Sequence, residues 1–291
     1  SQASPPAMLV LTIYVLTFLV GFPANVFTFV TLLGKARRRI SSSDILLLNL
    51  TTADLVLLLF LPFKMAEVAA DMTWPLPMGL CPVANFCFYS SIYLSSLFLA
   101  ALSVERYLGV VFPIHYKDRR RPRRVVAVSV GLWLLACSHC SVVFISHYHR
   151  GGNPPVANRS AGVTVGGFEM CYSGFSETQL SFVLPLRLEL FLVLFLLPFA
   201  ITVFCYINFV RVLLARPNIP LEKKQRAVGL AVATMVNFGV CFAPYNLSHV
   251  VGFVEKRSPD WRVYVLLLTS LNATLDPVIF YFSSTTVQRA M

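Results

Sequence analysis

The sequence predicts an all-α membrane protein, a bundle of seven transmembrane helices. Hydrophobic residues make up 57% of the 291 residues, charged residues only 13%, and the mean hydropathy is +0.71. A water-facing globular surface uses about 25% charged residues, so this composition favours a bilayer. Apolar runs of the ~20 residues needed to cross ~30 Å of hydrocarbon recur along the whole chain.

Each predicted helix is an apolar run that ends where charged or turn-forming residues begin. The first three runs end at a basic stretch from Lys35, at segment 71–77, and at a basic segment near 117–124. The next three end at the Gly-, Pro-, Asn- and Ser-rich segment 147–179, at the basic segment 216–226, and at Lys256–Arg257. The predicted helices, all in one domain spanning 1–291, are 8–33, 44–70, 78–111, 123–146, 180–214, 224–254 and 261–284.

Basic residues are distributed unevenly between these helices. Most lie in the first, third and fifth connecting loops, and the positive-inside rule places such loops in the cytoplasm. The N-terminus is then expected outside and the C-terminus inside, in a multi-pass plasma-membrane protein. The net charge of +11 is thereby assigned to topology rather than to nucleic-acid binding.

The long fourth loop is expected to be extracellular. Asn158 begins an Asn-Arg-Ser glycosylation sequon in it. Five of the seven cysteines lie well inside predicted helices. Cys81 lies at the start of the third helix, beside the second loop, and Cys171 lies in the fourth loop, which predicts one disulfide between two extracellular loops. The chain starts without Met and ends soon after the seventh helix, so we expect both ends, including the C-terminal tail, to be truncated.

Two acidic residues lie at bilayer depth, where a charge costs several kcal/mol. Asp54 is in the second helix and Asp276 in the seventh, with Ser95 and Asn272 offering further oxygens. These four residues predict either a site for a hard monovalent cation such as sodium, or a hydrogen-bonded network in which one acid is protonated.

Four cationic or titratable residues cluster near the predicted extracellular ends of different helices: Arg187, Arg262, His249 and His139. Helix-end arginines often extend to lipid headgroups, but together these residues favour a site for an anion, since the guanidinium fork matches a carboxylate. Counter-ions for the unliganded site are sought among the nearby acids Glu169, Glu177 and Glu189.

The order of these features resembles that of the rhodopsin-like (class A) G-protein-coupled receptors. The resemblance covers nearly the whole chain, with one set of landmarks per helix. The landmarks are Gly21-Phe-Pro-Ala-Asn25, Leu50-Thr-Thr-Ala-Asp54, Cys81, Glu105-Arg106-Tyr107, Trp133, Pro198, Tyr206, Pro244 and Asp276-Pro277. By this resemblance Glu105, Arg106 and Tyr107 form the switch toward the G protein, although the tripeptide alone is more typical of an ordinary charged helix end.

Two landmarks depart from the family pattern. The helix 6 motif reads Cys241-Phe-Ala-Pro244, so Phe242 holds the position of the usual tryptophan. The helix 7 motif places Phe280 where the family has a tyrosine, so the contacts of that hydroxyl are lost. The resemblance still assigns Phe242, Pro244, Asp276, Pro277 and Phe280 to the switch.

A narrower resemblance, to the free fatty acid receptors and above all their short-chain members, rests on four segments. These are Ser138-His-Cys-Ser141, Leu184-Pro-Leu-Arg-Leu-Glu-Leu190, Pro244-Tyr-Asn-Leu-Ser-His-Val-Val-Gly252, and 272–284. The resemblance implies a carboxylate held by Arg187, Arg262 and His249. It places the remaining pocket residues at His139, Tyr89, Tyr245 and Asn246.

The expected function is reception of extracellular acetate, propionate or butyrate, with signalling to a Gi/o or Gq heterotrimer, or both, and regulation by arrestin. No enzyme motif is present, and no cofactor is expected beyond an allosteric sodium ion. The alternatives are another small anion (a nucleotide, a longer fatty acid or a peptide C-terminus) and an organic-anion transporter. A retinal photoreceptor is set aside because 261–284 contains no lysine for a Schiff base.

Overall fold

Seven long helices make up most of the protein. The computed structural model describes residues 4–114, 122–148, 164–165, 168–169 and 171–284. Within these ranges, seven helices are long and apolar enough to cross a membrane, which confirms the predicted fold class. They are α1 (Pro5–Ala36), α2 (Ser42–Ala69), α3 (Leu80–Val111), α4 (Pro122–Tyr148), α5 (Glu177–Ala215), α6 (Leu221–Glu255) and α7 (Arg262–Ser283). A pair of antiparallel two-residue strands, β1 (Thr164–Val165) and β2 (Phe168–Glu169), precedes α5.

Four of the helices are interrupted. A wide π-turn at Leu192–Leu196 in α5 comes just before Pro198, and another at Asn237–Phe242 in α6 comes just before Pro244. Proline lacks an N–H and crowds the preceding turn, so a wide turn next to it is a common accommodation. Helix α4 breaks at Ser141, between Pro122–Cys140 and Val142–Tyr148, and α7 breaks at Leu271.

Helix α3 is the axis of the bundle. In its most apolar stretch 83% of the residues are buried, against 22% for α1, whose leucines and valines face outward. Outward apolar side chains are what a lipid-facing surface requires. Fully buried aromatic rings from α3, α6 and α7 fill the centre, among them Phe98, Phe242 and Phe280.

A capping box fixes the start of α5. The Ser176 hydroxyl accepts from the Gln179 backbone N–H, and the Gln179 side chain accepts from the Ser176 N–H. The Gln179 amide also donates to the Ser146 carbonyl at the end of α4, at 2.7 Å. These contacts set the axial position of α5 and therefore the depth of its side chains.

The predicted disulfide is confirmed between Cys81, at the start of α3, and Cys171, with a Cα–Cα distance of 5.8 Å. The other five cysteines are free thiols within the helices. We call the end of the bundle that carries this bridge the disulfide end, and the opposite end the Arg106 end. The sequon at Asn158 lies outside the described residues.

Candidate functional site

Two buried arginines lie at the disulfide end. Arg187 projects from the third turn of α5 and is 2% exposed, and Arg262 is the first residue of α7 and is 9% exposed. Lys and Arg side chains are rarely buried without a partner. The predicted pair of arginines therefore points into the protein rather than to the lipid headgroups.

The guanidinium group of Arg187 is only partly paired. Its Nη1 donates to the Ser258 hydroxyl at 3.1 Å, and the group lies 5.2 Å from the ring centres of both Tyr172 and Phe175. Its Nε and Nη2 are buried without a hydrogen-bond partner. Buried guanidinium donors without acceptors are costly, so this side chain is incompletely satisfied as it stands.

Arg262 is held by a chain of hydrogen bonds that reaches α6 and α3. It donates to His249 Nδ1 at 3.3 Å and to the Tyr245 hydroxyl at 3.2 Å. Its guanidinium group lies 5.0 and 5.7 Å from the ring centres of Tyr245 and Tyr89. His249 Nε2 lies 2.7 Å from the Tyr93 hydroxyl. Because an arginine can only donate, His249 Nδ1 accepts, and the ring is neutral with its proton on Nε2, donating to Tyr93.

A third buried cation, Lys64 of α2, was missed by the sequence reasoning. Its Nζ donates to Asn85 Oδ1 at 2.7 Å, forms an ion pair with Glu67 Oε2 at 3.5 Å, and lies 5.4 Å from the ring centre of Tyr89. Tyr89 thus contacts both Lys64 and Arg262. The sequence signal was a lysine and a glutamate one turn apart inside a predicted transmembrane helix. Charged residues at that position are costly and indicate a functional role, as they do for Asp54.

The other predicted pocket residues lie in two separate places. Tyr89 and Tyr245 lie beside Arg262, and Asn246 is buried one residue further along α6, with Oδ1 unpaired. His139 bonds instead to the Leu135 carbonyl and, at 3.0 Å, to Glu189 Oε1, which belongs to a residue with a half-exposed side chain. The structure therefore places His139 at the α4–α5 contact, where its partner is one of the predicted counter-ions.

The expected counter-ions do not reach the arginines within the described residues. Glu189 pairs with His139, and Glu177 is an exposed residue in the first turn of α5. The side chain of Glu169 lies outside the described part of the chain. Counted over that part, neither Arg187 nor Arg262 has a carboxylate within 4 Å.

The predicted switch residues lie at the Arg106 end. Glu105 Oε2 lies 3.8 Å from Arg106 Nε and accepts from the Ser43 hydroxyl at 2.8 Å. Arg106 Nη2 donates to the Ser283 carbonyl at the end of α7, at 2.6 Å. Tyr107 packs between Phe112 and Phe204 of α5, with ring centres at 6.0 and 5.6 Å. Arg106 lines a cavity of about 440 Å³.

The predicted cation site lies in the middle of the bundle. Asp54 Oδ1 accepts from the Ser95 hydroxyl at 3.1 Å, and Asn272 donates to the Thr269 carbonyl at 2.9 Å. Asp54 Oδ2, Asp276 Oδ2 and the amide oxygen of Asn272 are buried without a hydrogen-bond partner. Unpaired carboxylate and amide oxygens are the ligands that a hard cation takes, so the residues fit a sodium ion. No set of three or more His, Cys, Asp or Glu side chains within the described ranges forms a metal site.

The aromatic landmark of α6, Phe242, lies in the interior of the bundle. Phe242 is fully buried against Phe238, with ring centres 5.7 Å apart, and Pro244 follows it directly after the wide turn. Phe280, next to the Asp276-Pro277 step of α7, is also fully buried. The Tyr206 hydroxyl on α5 is buried without a hydrogen-bond partner.

Comparison with known proteins agrees with this architecture. The family described as 7 transmembrane receptor (rhodopsin family) matches residues 24–280. The chain is 48% identical over 277 residues to Free fatty acid receptor 3 of Mus musculus, covering 95% of this chain and 83% of the relative. It is 48% identical to Free fatty acid receptor 2 of Mus musculus, covering 97% and 83%, and 47% identical to G-protein coupled receptor 42 of Homo sapiens, covering 96% and 78%.

The chain belongs to the free fatty acid receptors of the rhodopsin family. This free fatty acid receptor is a multi-pass plasma-membrane protein that couples to G proteins, and it is not an enzyme. The predicted family is confirmed. The role of each pocket residue is not tested by similarity and remains a prediction.

Proposed function

We propose that this receptor binds extracellular short-chain carboxylates, such as acetate, propionate or butyrate, at Arg187 and Arg262. The observation that carries the proposal is the pair of buried, unpaired Arg187 N–H groups. A carboxylate accepts two parallel hydrogen bonds from a guanidinium fork. A bound anion would therefore complete the hydrogen bonding of Arg187 while it shares its charge with Arg262.

The charge balance of the site favours an anion. The Lys64 charge is compensated by Glu67 at 3.5 Å, whereas the two arginines have no carboxylate within 4 Å among the described residues. Two uncompensated buried cations make a strong field for one carboxylate, since electrostatic attraction is screened little in a buried site.

The aromatic wall favours a short acid. The ring centre of Tyr245 lies 6.3 Å from that of Tyr89 and 6.2 Å from that of Tyr93, directly beside Arg262. We infer that rings packed this closely beside Arg262 restrict the length of the acyl chain. A ligand of about five heavy atoms gains at most ~1.5 kcal/mol per atom, about 7 kcal/mol in all, which limits the dissociation constant to ~10 μM or weaker.

The disulfide end is proposed to face outward and the Arg106 end inward, as the loop charges predict. Binding of one anion between α5 and α7 neutralises two facing cations and favours the arrangement in which these helices approach. Helix α6 then moves about Pro244, and Arg106 leaves Glu105 and the Ser283 carbonyl to contact the G protein. The ligand acts only through its higher affinity for that arrangement. Coupling to Gi/o or Gq and recruitment of arrestin belong to the same proposal.

A sodium ion is proposed as an allosteric ligand of the mid-bundle site. The unpaired oxygens of Asp54, Asp276 and Asn272, together with the Ser95 hydroxyl, would hold it. When bound, the ion would supply one positive charge, which offsets the charge of one of the two buried carboxylates.

The test is a second-messenger assay in intact cells over linear acids from two to sixteen carbons. We expect a maximum at two to four carbons, and loss of the propionate response in Arg187→Ala and Arg262→Ala at unchanged surface expression. Arg257→Ala is the matched control, because that arginine lies at the same end but is exposed and paired with Glu255 at 3.1 Å.

Three results would contradict the proposal. A normal concentration response in either arginine variant would reject the carboxylate clamp. A maximum at long chains would assign the site to longer fatty acids. Uptake of labelled butyrate into vesicles would identify a transporter instead.

A further inference from the structure

Four oxygen atoms in the middle of the bundle are buried without a hydrogen-bond donor. They are Asp54 Oδ2, Asp276 Oδ2, Asn272 Oδ1 and Asn237 Oδ1, and all four residues are 0% exposed. Buried polar atoms in folded proteins are almost always paired. Unpaired buried acceptors therefore indicate a missing positive charge or donor, here beside the linked side chains of Asp54, Asp276 and Asn237. Asn237, on α6, was not among the residues that the sequence assigned to this network.

The side-chain amide of Asn237 is anchored to the network by its nitrogen. Its Nδ2 donates to Asp276 Oδ1 at 2.7 Å. The amide oxygen is two bonds from that nitrogen, so it lies beside the same carboxyl group. With Asp276 ionised, as a cation ligand must be, the opposite orientation would set two acceptor oxygens against each other, so the amide oxygen is the free end.

The two carboxyl groups lie together. Asp54 and Asp276 are within hydrogen-bonding contact of each other, and Ser95 donates to Asp54 Oδ1. A proton shared by the two acids would satisfy one carboxyl oxygen. It would leave the amide oxygens of Asn237 and Asn272 without a donor, since these can only accept. A cation satisfies several oxygens at once.

We propose that Asn237 Oδ1 is a further ligand of the cation held by Asp54 and Asp276, so that this cation ties α6 to α2 and α7. The inference rests on the sodium proposal and is independent of the carboxylate site. Asn237 is the first residue of the wide turn Asn237–Phe242 that precedes Pro244. The coordinating side chain of Asn237 therefore lies where α6 departs from a regular helix. A bound cation would hold this segment of α6 in its present position.

The experiment measures thermal unfolding of the purified full-length receptor by tryptophan fluorescence. NaCl replaces choline chloride at constant ionic strength, so that only a specific effect of sodium shifts the midpoint temperature. We expect sodium to raise the midpoint of the wild-type protein with a saturable dependence, because an ion that binds only the folded state stabilises it. Asp54→Asn should abolish the shift.

Asn237→Ala should raise the sodium concentration for half of the full shift by about tenfold, the size typical of losing one partner in a metal site. Asn208→Ala is the matched control. Asn208 also donates from its side-chain amide, but to the Phe204 backbone carbonyl at 2.8 Å, on α5 and not to a carboxylate. If Asn237→Ala does not yield folded protein, Asn237→Ser is measured in the same way.

An unchanged sodium dependence in the folded Asn237 variant would overturn the inference. An equal change in Asn208→Ala would overturn it as well. If the stability of the wild-type protein is the same in sodium and in choline, both the proposed sodium site and the role of Asn237 in it are rejected. The carboxylate proposal would be unaffected by that outcome, because it is tested by the propionate response.

Discussion

The hydroxyl of Tyr93 should control how well Arg262 is held. In the structure it is the only hydrogen-bond partner of His249 Nε2 within the described residues, at 2.7 Å. His249 Nδ1 in turn accepts from Arg262 at 3.3 Å. The substitution Tyr93→Phe keeps the ring, which is 1% exposed. It removes the acceptor of the His249 proton and the longer hydrogen bond, at 3.4 Å, that the Tyr93 hydroxyl donates to the Tyr245 hydroxyl.

The magnitude follows from the burial of the group left behind. A buried donor that loses its partner costs about 1–3 kcal/mol. If the His249 imidazole turns so that its N–H finds another acceptor, the Arg262 guanidinium group loses its own acceptor, His249 Nδ1, and the cost is of the same size. We expect Tyr93→Phe to raise the propionate concentration for a half-maximal response by about tenfold, equivalent to ~1.4 kcal/mol.

The assay pairs this response with a double-mutant cycle in thermal stability. Tyr93→Phe, His249→Ala and the double variant are compared in purified protein. Residues joined by a buried hydrogen bond show coupling of about 0.5–3 kcal/mol. Tyr264→Phe is the control, since Tyr264 lies on α7, two residues beyond Arg262, and is 48% exposed.

Additive effects in the cycle, or a propionate response in Tyr93→Phe equal to that of the wild type, would refute the hydrogen-bonded chain from Tyr93 to Arg262. An equal loss in Tyr264→Phe would show that the effect is not specific to it.

Two other substitutions test the Arg106 end and the balance of charge in the pocket. A Cβ at Gly229 would lie 2.7 Å from the Phe282 ring, so Gly229→Ala should push α6 away from α7 and raise basal signalling at equal surface expression. Gly239→Ala, on the same helix with nothing within 4 Å, should leave basal signalling unchanged, and equal basal signalling in both variants would contradict this. Glu67→Gln removes the carboxylate that compensates the buried lysine. Propionate should then act at a concentration about two- to fifteenfold lower, the range for one charge at ~10 Å. Exposed Glu255→Gln should have no effect, and a weaker propionate response in Glu67→Gln would contradict the charge argument.

The helices were predicted closely because the bilayer imposes one simple rule. A membrane-spanning helix must form all its backbone hydrogen bonds within itself and present apolar side chains to the lipid. Runs of apolar residues therefore locate such helices directly. The prediction 44–70 for the second helix compares with Ser42–Ala69, and 78–111 for the third with Leu80–Val111. The differences are at the ends, where local capping rather than hydropathy decides. Ser41 and Asp44 form the capping box that starts α2 earlier than predicted.

The interruptions of the helices were not predicted. Pro198 and Pro244 were visible in the sequence, but the wide turns before them depend on how neighbouring helices fill the space. For the same reason His139, which the sequence grouped with the arginines, bonds to Glu189 at the α4–α5 contact. The rotation of α4 about its own axis depends on packing, and it determines which partner the imidazole meets.

The sequence alone determined the class of protein, the seven spans and the two arginines, since composition and ordered motifs are local properties of the chain. Only the tertiary structure decided which polar side chains meet. It brought Lys64 of α2 beside Tyr89 of α3, and it placed Asn237 of α6 against Asp276 of α7. These contacts join different helices, and no local pattern encodes the helix rotations that create them. The physical reason is that a buried polar group must find a partner across the bundle, and packing decides which partner is within reach.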